Sequence, residues 1–205
     1  MKDRRQKSKG RSDAGAGLVP SRQPVVRSQE TNREEGFDQF KRANAAALGL
    51  LSLCDRTKKD LKDRLLKKGY AAEVINRVIR GLESEGYIND ELFAFKFTYD
   101  AVMRKCLGPG IVRQGLQEKG ISREIIDDAV RRIFQDNDEK SIARKAVMKI
   151  HLRFGALLSG GKEKGKMAET RLKEIKRLSD YLRRRGFSYD IIGETIREIE
   201  KENDV

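Results

Sequence analysis

The residues that most often carry catalysis or hold metals are few in this chain. His151 is its single histidine, and Cys54 and Cys106 are its two cysteines. A structural zinc site takes about four Cys or His ligands at close spacing, and neither a second imidazole nor a CxxC pair is present. Both cysteines stand in apolar helical surroundings, so they are expected as reduced core thiols. No GxxxxGK[ST] phosphate loop and no GxSxG elbow occurs. GALLSGGKEKGK (155–166) has glycines beside lysines, but no strand precedes it and the spacing is wrong, so it reads as an exposed loop. Carboxylates could serve a metal-dependent nuclease if they were free. Asp60, Asp63 and Asp100, however, stand four residues before Arg64, Lys67 and Arg104. Acid before base at that spacing stabilises a helix surface by about 0.2–0.5 kcal/mol per pair. No catalytic, cofactor-binding or metal-binding residue is nominated, no cofactor is expected, and the enzyme reading is rejected.

Charge is the more informative property. Lys and Arg number 45 against 32 Asp and Glu, a formal net charge of +13, while 38% of the residues are hydrophobic. Such an excess predicts contact with a polyanion or an acidic protein and says nothing about fold. No apolar run approaches the roughly 20 residues of a membrane helix. The start, MKDRRQKSKGRSDAGAG, lacks the apolar segment of a signal peptide. A cytoplasmic protein is expected. Residues 1–27 carry eight basic groups against Asp3 and Asp13, with Gly, Ser and Pro between them and no apolar period. A disordered basic tail is expected over 1–36.

From Phe37 onward, apolar residues recur at three and four: Phe40, Ala43, Ala47, Leu50, Leu51, Cys54. Thr57-Lys-Lys-Asp60 resembles a capping box and opens a second helix ending at Lys68. Gly69 then fits the left-handed position that closes a helix. The same plan is written three times. Aligned on Gly69, Gly120 and Gly186, four residues earlier stand Leu65, Leu116 and Leu182, and one later Tyr70, Ile121 and Phe187. These are the two positions whose side chains meet in a Schellman stop. Val74-Ile75, Ile125-Ile126 and Ile191-Ile192 follow, with Ser122 and Ser188 placed to cap the third helix of their units.

The glycines lie 51 and 66 residues apart, which leaves room for a third helix in each unit. Residues 37–54, 91–106 and 141–154 supply it. The fold class is therefore all-α: three tandem three-helix, helix–turn–helix-like repeats over 37–88, 89–136 and 137–205, the last with a loop insertion at 155–166. Units this small complete their cores on their neighbours, giving an elongated array.

The basic residues nominated for a partner are Lys58, Lys59, Lys62, Lys68, Lys105, Arg113, Lys119, Arg183, Arg184 and Arg185, and they recur before the stops as Lys67-Lys68, Lys119 and Arg183-Arg184-Arg185. They could line one edge of the array toward a repetitive anionic partner. Cations at helix C-termini are also favoured by the helix dipole alone. One group can serve both ends.

The stretch GYINDELFAFKFTYDAVMRKCLGPGIVRQGLQEKGI (86–121) and the closing RRRGFSYDII (183–192) resemble the RecX family, regulators of the bacterial recombinase RecA. The resemblance spans roughly 43–200. It implies a curved, monomeric helical protein without catalytic groups, which binds in the groove of the RecA–DNA filament. It implies modulation, usually inhibition, of ATP hydrolysis, strand exchange and repressor cleavage, hence control of recombination, repair and the SOS response. Direct, mainly electrostatic contact with single- or double-stranded DNA is implied as well. The competing reading is a helix–turn–helix DNA binder acting in transcription or nucleoid organisation. The dissimilar outer residues of the third helices oppose it, because shared readout needs shared polar side chains.

Overall fold

The computed structural model describes the backbone of residues 25–154 and 167–203 and the side chains of 36–150 and 171–201. Residues 1–24 of the expected tail and the 155–166 insertion lie outside the described residues, as does the His151 side chain. Within the described residues every regular element is helical. They are α1 (Val25–Leu51), α2 (Lys58–Lys67), α3 (Ala72–Ser84), α4 (Asp90–Tyr99, continued by a π-helical turn Asp100–Arg104), α5 (Pro109–Glu118), α6 (Arg123–Asp136), α7 (Glu139–Phe154), α8 (Met167–Arg184) and α9 (Tyr189–Asn203). The most extensive packing, α2 on α3, α4 and α5 on α6, and α7 and α8 on α9, falls within consecutive groups of three.

α1 begins twelve residues before Phe37, so the tail expected to be disordered to residue 36 is helical from Val25. The sequence there, QETNREE, is built of residues that tolerate a helix, and Glu30 precedes Arg33 by a favourable three.

The three predicted stops form as Schellman motifs. Gly69, Gly120 and Gly186 have φ of +85°, +77° and +84°. In each, the glycine N–H donates to the carbonyl three residues back, and the next N–H donates to the leucine five back: Tyr70 to Leu65, Ile121 to Leu116, Phe187 to Leu182. Leu65, Leu116 and Leu182 are fully buried. A fourth stop of the same design closes α3 at Gly86, φ +78°, where Tyr87 donates to Leu82.

Thr57 caps α2 by accepting from the Asp60 N–H at 3.2 Å. Asp60 does not return the bond; its carboxylate takes Arg56 at 2.7 Å and Arg64 at 3.0 Å instead. Ser122 stands at the start of α6 without a capping bond from its hydroxyl, and Ser188 accepts from Ile191 only at 3.5 Å. Cys54 is exposed beyond the end of α1, against the expectation of a core thiol, because the helix stops at Leu51. Cys106 is buried, and it alone among the described non-glycine residues has positive φ, 51°. The helix predicted over 91–106 is therefore wound wider through its last turn and closed by a left-handed cysteine.

Buried side chains fall into two clusters. One belongs to α1–α3 and includes Ala43, Ala47, Leu61, Leu65, Ile75, Val78 and Leu82. The other runs without interruption from Ala94 in α4 to Ile196 in α9.

Candidate functional site: basic edges, helix joints and an apolar groove

Second helices of successive units meet end to end. At the first joint the start of α2 faces the end of α5, bringing opposite ends of two helix dipoles together. The Thr57 hydroxyl donates to the Lys119 carbonyl at 2.8 Å, and Lys59 Nζ to the Glu118 carbonyl at 3.1 Å. The Lys59 stem lies so close over Gly120 that a Cβ there would overlap it. Lys58 N–H donates to the Asp90 carboxylate at 3.1 Å, and Lys96 pairs with Asp55 at 2.7 Å.

At the second joint the start of α5 faces the end of α8 mainly through backbone. Gly108 N–H donates to the Arg185 carbonyl at 2.8 Å and Gly110 N–H to the Gly186 carbonyl at 3.0 Å. Pro109 between them has no N–H to satisfy. The Arg185 guanidinium donates to the carbonyls of Lys105 and Cys106, and Lys149 to that of Arg104 at 2.8 Å. The end of the π-turn is thus capped from the next unit.

These joints and local pairs absorb most of the predicted basic residues. Lys58 pairs with Glu83 at 2.5 Å, Lys105 with Asp100 at 3.1 Å, Arg113 with Asp127 at 3.2 Å and Arg183 with Asp180 at 3.1 Å. Lys119 Nζ sits 5.7 Å and 5.8 Å from the rings of Phe93 and Phe97. Lys59 and Arg185 belong to the joints. Lys62, Lys68 and Arg184 are exposed and form no ion pair or side-chain hydrogen bond among the described residues. Lys67, expected to pair with Asp63, is equally free. So are Lys176 and Arg177 on α8, which extend the edge ending at Arg184 and were not singled out from sequence.

Protonation follows these contacts. The hydrogen bond to Glu83 raises the Lys58 pKa against the opposing effect of burial. Burial raises the Asp90 carboxyl above the usual range despite the Lys58 N–H, and burial likewise raises Glu139, which accepts from the Ser188 N–H at 3.3 Å. For Asp60 burial acts upward too, but the hydrogen bonds from Arg56 and Arg64 together hold the pKa low. All of these groups work on the fold. No group of three or more His, Cys, Asp or Glu among the described residues is placed to hold a metal ion.

A groove of about 530 Å³ lies between α4 and α6, lined by Leu92, Phe95, Ile125 and Ala129 and rimmed by Glu91, Glu124, Asp128 and Arg132. Sequence reading missed it because Leu92 and Phe95 stand in the same apolar run as the core residues Phe93 and Ala94. No described helix is long and apolar enough to cross a membrane.

Known proteins share this arrangement. The family model described as "RecX, first three-helix domain" matches residues 43–82, and "RecX, second three-helix domain" matches residues 89–130. The regulatory protein RecX of Clostridium botulinum (strain Eklund 17B / Type B) is 27% identical over 174 residues, covering 84% of this chain and 76% of the relative. That of Bacillus subtilis (strain 168) is 32% identical over 167 residues, covering 82% of this chain and 58% of the relative. The chain belongs to the RecX family. The crystal structure of RecX from Lactobacillus salivarius superposes with a TM-score of 0.64 at 24% identity, covering 80% of this chain and 97% of that one. A second RecX crystal structure gives 0.66 at 23% identity, covering 83% of this chain and 77% of that one. The two RecX structures share its fold as a helical repeat array. The first two RecX domains correspond to α1–α3 and α4–α6. The Gly186 stop lies beyond both matched ranges and repeats the same design.

Proposed function

We propose that this RecX-family chain binds the RecA–DNA filament and restrains it, lowering ATP hydrolysis and strand exchange and so regulating recombination and repair. It does so as a cytoplasmic monomer, without chemistry of its own. The observation that carries the reading is the pair of joints. Three successive units are connected in the same sense, second helix to second helix, so the same helical framework recurs along the chain. A filament presents its surfaces at regular intervals, and linked weak contacts to successive protomers gain effective concentration over binding to free subunits. Bridged protomers resist the movements that nucleotide turnover requires.

Direct DNA contact belongs to the cations that the fold leaves available, Lys62, Lys67, Lys68, Arg184, Lys176 and Arg177, each weakening with salt as a phosphate contact does. Lys58, Lys59, Lys105, Arg113, Lys119, Arg183 and Arg185 reach phosphates only by giving up an internal partner. The transcription-factor reading recedes further: on α6 the outer Arg123, Arg131 and Arg132 are paired with Asp127 and Asp128. The test is ATP hydrolysis by the matching recombinase on single-stranded DNA. Substoichiometric chain lowers the rate; inhibition only at amounts that titrate free recombinase counts against bridging, and no binding or effect at all overturns the function.

A further inference from the structure

Residues 92, 95, 99 and 103 share one face of α4 and its π-turn at spacings of three and four. That face is apolar and open: Leu92 is 49% exposed, Phe95 41%, Tyr99 49% and Met103 40%. The opposite face of the same helix, Ala94, Thr98, Ala101 and Val102, is buried. The repeat provides an internal control. Asn89 and Asp138 cap α4 and α7 in the same way, each accepting the N–H three residues on, which aligns the two helices. Positions of Leu92, Phe95, Tyr99 and Met103 then correspond to Ser141, Arg144, Met148 and Leu152. The spacing of the Gly69 and Gly120 stops aligns α1 likewise, giving Lys41, Asn44, Leu48 and Ser52 for the four positions. The architecture does not demand an apolar outer face, since the first unit places polar residues at three of the four positions and the third unit at two. A stripe of this size exposed on one unit marks a contact surface.

The rim says what the contact is. In a chain of net charge +13, the groove beside Leu92 and Phe95 is edged by Glu91 and Glu124, which form no ion pair among the described residues, and by Asp128, shared between Arg131 and Arg132. Phosphate is disfavoured there, and so is an acidic peptide. We propose that the α4–α6 groove of the middle unit docks a protein segment carrying two or more large apolar side chains flanked by Lys or Arg. Resting on the function proposed above, that segment belongs to the recombinase, so protein contact and phosphate contact use different parts of the chain: the α4–α6 groove for one, the free lysines of α2 and the α8 edge for the other.

Binding of the full-length chain to recombinase filaments tests this. Leu92→Asp with Phe95→Asp lowers affinity tenfold or more, and Tyr99→Lys lowers it to a smaller extent, with helical circular dichroism retained because none of these side chains belongs to the buried core. Glu91→Lys with Glu124→Lys also weakens binding, most at low salt. A benzophenone amino acid in place of Phe95 captures recombinase. Wild-type affinity in all the variants overturns the groove and leaves the proposed function standing. Failure of the unaltered chain to bind filaments overturns both. Capture of residues 1–24 of the same chain, or of a second copy, overturns the groove as a recombinase site.

Discussion

The two joints do the same topological job with different materials. The first is made mainly by side chains: a threonine hydroxyl, a lysine and an aspartate reach carbonyls or an N–H across it, and the buried cluster of α1–α3 stops short of it. The second is made by backbone N–H groups donating directly to backbone carbonyls, and an unbroken apolar core runs under it. Side chains can be exchanged one at a time, whereas backbone contact and shared core fail together. The difference separates a unit able to open alone from two units that open as one.

Alanine at the equivalent glycines sharpens the contrast. At Gly186 an added Cβ meets the Ile111 backbone as well as the left-handed strain, so Gly186→Ala costs about 3 kcal/mol or more. Gly120→Ala meets the Lys59 stem, whose outer carbons can swing aside while its Cβ moves only with α2, and costs less than the backbone clash at Gly186. At Gly69 nothing lies within 4 Å, so only the strain of about 1 kcal/mol remains. Denaturant titrations of the three variants should rank in that order; equal losses would show that the joints do not load the glycines differently.

Thr57→Val removes both a cap and the bond to Lys119, about 1–2 kcal/mol. Hydrogen exchange should then quicken in α1–α3 while α4–α9 keeps its protection; uniform loss would mean that the first joint is not separable. Neighbouring arginines divide similarly. Arg185→Ala strands the carbonyls of Lys105 and Cys106 and costs about 1–2 kcal/mol. Arg184→Ala, on an open surface, stays within about 0.5 kcal/mol.

The smallest effect is on pH dependence. Asp90 has a raised folded pKa, so its contribution to stability is full below the unfolded value and is lost as pH rises through the folded one. Asp60 is lowered, so its contribution is present above the unfolded value and is lost as pH falls through the folded one. Asp90→Asn and Asp60→Asn should therefore change the slope of stability against pH in the acidic range in opposite senses. Slopes of the same sign would contradict the assigned environments.

Much of the fold was legible because glycine stops and apolar spacing are written in residue types. Ile75, Ile126 and Ile192, and Leu65, Leu116 and Leu182 are buried where the aligned pattern placed them. Ser122 was not legible in the same way: residue type permits a cap, but geometry decides whether the hydroxyl turns to it. The joints were hidden for a related reason. Gly108 and Gly110 lack the Cβ that would collide with the Gly186 backbone, but they donate through N–H groups that nearly every residue owns, and no residue pattern says which carbonyl will meet them. Basic residues were the least legible, since Lys68, Lys119 and Arg185 precede equivalent glycines yet end on solvent, on two phenylalanine rings and on two carbonyls. The groove escaped because an apolar run does not reveal which of its members face out.

Synthesis proceeds from the N-terminus, and the Arg185 bridge to the Cys106 turn gives that direction a consequence. The first unit holds its own buried cluster and can settle as soon as its third helix clears the ribosome. The carbonyls of Lys105 and Cys106 beyond the π-turn lack their guanidinium partner until Arg185 has been translated. A nascent chain paused between the two would present a half-closed helix end and bare apolar surface to chaperones.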